Sequence, residues 1–203
     1  MALTATAAAL GAAYLAVRGH EKTEEQKKKE LEGLHTWFRD ATLRTEEFNR
    51  SGPQGPVAWI LNRGHVVPED AIQGGEEHGH PLYIARAYTD GGVMIGKASP
   101  HLKKGAVIGY KHSEINVETY EILIGDMDRL KWVEASGKLN VDALGYRPVE
   151  GGYEPDLTPL YVVQAHHHFG TYVGKASSVL DGAFVPHDGS EKKVKDYRVL
   201  CYA

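Results

Sequence analysis

The sequence predicts an all-β body of two tandem repeats, packed as a pseudo-twofold β-sandwich and preceded by an α-helical extension. Three observations carry that reading. The larger, C-terminal part of the chain repeats itself block by block. The repeated blocks are short aromatic and aliphatic runs separated by turn residues. The N-terminal part has a different texture altogether. With 203 residues, 42% hydrophobic and 25% charged, the chain is a globular one able to bury a sizeable core. Its 23 glycines exceed the about 14 of an average chain of this length, which favours many tight turns.

The first element, residues 1–17, has no charge, and 14 of its 17 residues are apolar. Eight of those are alanine, and the run sits at the lower limit of the ~17–25 residues that span a bilayer. No basic residue precedes Arg18, so it lacks the n-region of a conventional secretory signal. An Ala-rich helix packed on protein and a membrane-associating anchor both stay open. The localisation that follows is cytoplasmic, with membrane association or release without a conventional signal peptide as the alternatives.

From Arg18 to Arg50, eight basic and eight acidic residues share 33 positions with two glycines and no proline. Leu31, Leu34, Phe38, Ala41 and Phe48 follow three-four spacing, with Thr45 out of step. That is one apolar seam on a charged helix, and it must find a partner. Its own domain is one partner; self-association is the other, and a homo-oligomer is expected. Ser51 to Pro56, rich in glycine and proline, closes the helix. The domain division is therefore a helical extension at 1–50, a linker at 51–56 and a β domain at 57–203.

Within that domain, repeat one is 57–130 and repeat two 131–203. Pro81-Leu82-Tyr83-Ile84-Ala85-Arg86-Ala87 returns as Pro159-Leu160-Tyr161-Val162-Val163-Gln164-Ala165, and Gly96-Lys97-Ala98-Ser99 as Gly174-Lys175-Ala176-Ser177, both at an offset of 78. Gly74-Gly75, Gly105-Ala106, Ser113-Glu114 and Tyr120-Glu121-Ile122-Leu123 have counterparts at an offset of 77. Trp59 and Trp132 open the units. Each unit is too thin a sheet to bury a face alone, so the other copy is its cover.

In order and content, these blocks resemble the DM-nine tandem-repeat family, over residues 57–203. That repeat is found in bivalve mannose-binding lectins, in invertebrate pattern-recognition proteins and beside the pore-forming module of natterin-type proteins. The resemblance implies a lectin-like protein of recognition or defence that binds mannose-type glycans, with one site per repeat. It implies that the lysine of the Gly-Lys element and an acidic residue after Gly-Gly hold the sugar. Here those are Lys97 with Glu77 and Lys175 with Glu154, although the lectin pattern has aspartate at the acidic position. Glu76 and Asp156 are the alternatives. A carboxylate accepting from adjacent hydroxyls and an ammonium donating to them suit such a ligand without metal. Tyr83, Tyr88, Tyr161 or Tyr172 can cover the sugar's apolar face. The competing explanation is a solvated ion pair, contributing about 0–1 kcal/mol.

Other function classes are poorly supported. A net charge of -4 gives no drive toward nucleic acid. The single Cys201 excludes an internal disulfide. His166-His167-His168, with His187 or Asp188, is the only metal constellation to weigh; alternation sends His166 and His168 to one face. No metal or other cofactor is expected there, and a polar strand edge is the better reading. His78 and His80 flank the proposed sugar loop. No nucleophile elbow, Walker loop or dinucleotide fingerprint occurs, so an enzyme is not expected. Two further classes remain: a structural or oligomerisation protein without sugar binding, and a membrane-acting recognition protein using its apolar N-terminus.

Overall fold

Fourteen short strands follow one long helix in the computed structural model, which describes residues 22–203. The apolar run at residues 1–17 lies outside the described residues. Among the described residues, no helix is long and apolar enough to cross a membrane.

Helix α1 (Glu24–Ser51) begins at a capping box: Thr23 Oγ1 accepts from the Gln26 amide, and Gln26 Oε1 accepts from the Thr23 amide at 2.9 Å. It ends where Gly52 takes a φ of 71°, its amide donating to the Phe48 carbonyl at 2.8 Å.

Repeat one contributes β1 (Val57–Arg63), β2 (Gln73–Glu77), β3 (His80–Thr89), β4 (Gly92–Ala98), β5 (Ala106–Tyr110), β6 (Ser113–Val117) and β7 (Thr119–Gly125). Repeat two contributes β8 (Leu130–Ser136), β9 (Glu150–Tyr153), β10 (Pro159–His167), β11 (Gly170–Ala176), β12 (Ala183–His187), β13 (Ser190–Val194) and β14 (Asp196–Tyr202). Two single-turn 3-10 segments, Met127–Arg129 and Val141–Leu144, complete the chain.

The strands join in the order β1-β7-β3-β2-β11-β12-β13-β6-β5-β4-β9-β10-β14-β8. This single hydrogen-bonded network modifies the expected sandwich, because the two halves are not separate sheets. It turns back on itself where β3 also pairs with β4 and β10 with β11. The halves exchange strands: β2 of repeat one pairs with β11, at Glu76 opposite Thr171, and β9 of repeat two pairs with β4, at Tyr153 opposite Val93. At the centre Ser113 pairs with Ser190, its own equivalent. A residue that meets its counterpart is what a twofold axis requires, so the pseudo-dyad passes there.

α1 packs chiefly on repeat one, against β1 and β3. Leu34, Trp37 and Ala41 pack on Leu61, Tyr88 and Val93, and Thr45 Oγ1 accepts from the Leu61 amide of edge strand β1 at 2.7 Å. The seam thus finds its partner within the chain, and Trp37 joins it. Below Trp37 lies Glu121, wholly buried, which accepts from Trp37 Nε1 at 3.2 Å, Arg44 Nε at 3.0 Å and Arg86 Nε at 2.7 Å. Repeat two has Glu134, His166, Thr171, Gln164 and Arg198 at the positions of Leu61, Tyr88, Val93, Arg86 and Glu121. A polar face of that kind has no need of a helical cover.

Candidate functional site

The two Gly-Lys blocks fall on β4 and β11, which lie against each other beside the dyad. Gly96 and Gly174 precede the lysines because a Cβ at either would meet a carbonyl of the neighbouring strand at 2.0 Å. Both lysines are deep. Lys97 is 2% exposed and Lys175 3% exposed, so neither belongs to a solvated surface pair. A buried ammonium needs compensating charge, and breaking a buried pair typically costs about 3–5 kcal/mol.

Around Lys97 stand two carboxylates, Glu77 Oε2 and Glu114 Oε1, each at 3.7 Å. The Tyr172 ring of repeat two lies 4.9 Å from the ammonium. Glu77 is held by the Tyr172 hydroxyl, which donates to its Oε1 at 3.0 Å, and His187 Nδ1 lies 3.2 Å from the same oxygen without a hydrogen bond to it. Glu114 Oε2 accepts from the Gly189 amide at 2.7 Å, in the turn between β12 and β13. Burial, then the hydrogen bond to Glu77, push the Tyr172 phenol up to about 12.

The cluster around Lys175 is the dyad-related copy with different occupants. Its ammonium pairs with Glu191 Oε1 at 2.9 Å, donates to the Gly109 carbonyl at 2.8 Å and touches Met94 Sδ at 3.3 Å. Glu191 Oε2 accepts from the His112 amide at 3.0 Å, matching Glu114 on Gly189. Tyr110 stands where His187 stands in the first cluster, its ring 5.7 Å from Lys175. Each cluster therefore takes its lysine and carboxylates from one repeat and its flanking ring from the other.

Of the expected residues, Glu77 joins Lys97 directly. Glu154 makes no ion pair with Lys175; Glu191 has taken that place. Burial raises the Glu154 pKa above the ordinary carboxylate value, Lys175 opposes the rise and Glu191 adds to it. Glu76 faces solvent from the β2 ladder, and Asp156 makes a turn, its Oδ1 accepting from the Thr158 amide at 3.0 Å. Among the four tyrosines only Tyr172 reaches a cluster. Tyr88 lies under α1, while Tyr83 and Tyr161 pack on the two cores.

The histidines group differently from the alternation argument, because His168 leaves the strand in a turn with φ 51°. His167 then packs against His168 and His187, with ring centroids 4.1 and 5.5 Å away. No group of three or more potential metal ligands assembles among the described residues. His78 is exposed at a turn, and His80 stacks on His101 with ring centroids 3.7 Å apart. The acids missed from sequence, Glu114 and Glu191, stood in the repeated Ser-Glu block, which was the available signal.

The DM9 repeat model matches residues 51–116 and 78–194. The chain belongs to the DM9 repeat family. No curated protein matches the sequence. Among solved structures, the crystal structure of the nematode sperm cell motility protein MFP2B is similar, with a TM-score of 0.53 at 17% identity. The match covers 75% of this chain and 49% of that one, so this DM9 chain spans about half the length of that neighbour. At such identity the likeness is one of fold.

Proposed function

We propose that this DM9 protein is a carbohydrate-binding, lectin-like recognition protein for mannose-type glycans, with a lysine–carboxylate cluster beside the dyad as its recognition element. One observation carries the reading: a buried lysine, a carboxylate at ion-pair distance and a flanking ring from the other repeat recur across the dyad. Ammonium donors and carboxylate acceptors side by side match the paired hydroxyls of a sugar.

A glycan array probed with the full chain, with and without EDTA, tests this. Mannose-terminated glycans should be retained equally in both conditions. Retention of no glycan overturns the proposal, and binding abolished by EDTA but restored by calcium or zinc overturns its metal-free chemistry.

A further inference from the structure

We infer that the two clusters are unequal: the Lys97 cluster is the open sugar site, and the Lys175 cluster is latched shut by Glu191. This rests on the carbohydrate reading above and assigns it to one half of the molecule.

The contacts of the two ammonium groups differ in kind. Lys175 donates to the Gly109 carbonyl at 2.8 Å and to Met94 Sδ at 3.3 Å and has Glu191 Oε1 at ion-pair distance, 2.9 Å, so its ammonium is engaged inside the protein. Lys97 has no hydrogen bond to any described residue. Its two carboxylates stand at 3.7 Å, beyond hydrogen-bond length, though its side chain is only 3% exposed. A buried donor left in that state is a position for an incoming acceptor. A sugar hydroxyl over the gap accepts from the ammonium and donates to Glu77 Oε2 or Glu114 Oε1. Two neighbouring hydroxyls use both acids.

The difference has a cause in sequence. A Cβ on Gly109 would come within 2.6 Å of the Glu191 side chain, so the glycine is what lets Glu191 settle onto Lys175. At the equivalent position, 77 residues on, stands Pro186, and a proline ring takes up space that a glycine leaves free. Glu114 is the more open of the two acids: its side chain is 15% exposed against 4% for Glu191. The first cluster also has Tyr172 where the second has Met94, which gives Glu77 a hydroxyl anchor. At the tip of the β10–β11 hairpin that carries Tyr172, Phe169 is 96% exposed, whereas the matching β3–β4 turn has Gly91.

The test is titration of the isotope-labelled full chain with methyl α-mannoside, followed by amide spectra and by calorimetry. One sugar per chain is expected, with shifts at Lys97, Tyr172 and His187 and none at Lys175, Met94 and Tyr110. Tyr172→Phe frees Glu77 and should weaken binding about tenfold or more. Gly109→Ala should push Glu191 off Lys175 and raise the count from one to two. Should that variant fail to fold, the spectra of the unaltered chain still decide. Two equal sites in the unaltered chain, or shifts confined to the Lys175 side, overturn the inequality and leave the carbohydrate reading standing. No shift anywhere overturns both.

Discussion

Glu154 shows how far a single residue can be read from sequence. Its alignment with Glu77 was visible at an offset of 77, but its loss of the lysine was not. Repetition reports which positions are equivalent, whereas charge pairing depends on whether the neighbour is Gly109 or Pro186. The lysines were legible for the same reason; their burial was not, because it arises from strands of the opposite repeat. Glu154 has a titration consequence. Its pKa is raised in the folded chain, first by burial and then by Glu191, so the native state holds this proton more tightly than the unfolded state. That contribution is fully present below the ordinary carboxylate value and is lost as pH rises through the raised native value. Glu154→Gln stays neutral throughout. Urea midpoints measured from pH 4 to 8 should therefore fall less steeply with pH in the variant than in the parent.

Among the elements, α1 was recognised by its charge texture and seam, and its end by glycine and proline. Trp37 fell outside the sequence-derived seam because it reaches Glu121, and a tryptophan donating to a buried acid has no periodic signature. Both repeats are complete in sequence without the helix, yet its packing makes it part of the fold. Deleting residues 1–55 uncovers Leu61, Tyr88 and Val93 and strips Glu121 of two of its three side-chain donors. Loss of partners from a buried charge is among the costlier changes a fold can suffer. The truncated chain should keep a β-type circular dichroism spectrum but melt well below the full chain. Trp37→Ala alone should cost roughly 3–5 kcal/mol in denaturant titration. A truncated form as stable as the parent would mean that Glu121 finds other donors.

For the molecule as a whole, the sequence announced two copies and a pseudo-dyad, and it could not announce strand exchange. Hydrophobic patterning is the same whether β2 pairs within its own half or across to β11, so topology is silent in composition. Exchange makes a definite prediction. Residues 1–130 and 131–203, expressed separately, should each be poorly folded by amide dispersion. Mixed at equal concentration, they should recover the native spectrum, because β2–β11, β4–β9 and β6–β13 can form only between them. Two halves that fold alone and ignore each other would contradict the pairing.

The same pairings set a timetable for synthesis. When repeat one has left the ribosome, β2, β4 and β6 still lack the neighbours that β11, β9 and β13 will provide. Folding must wait for the C-terminal half, and long-range strand pairing is a slow step in any case. During that interval the nascent chain displays open strand edges beside β4, every residue of which is buried in the finished fold. Another nascent copy offers the same complementary edges as the chain's own second half. Crowding on one message thus favours an exchanged dimer whose subunits are joined by the strands meant to close each monomer.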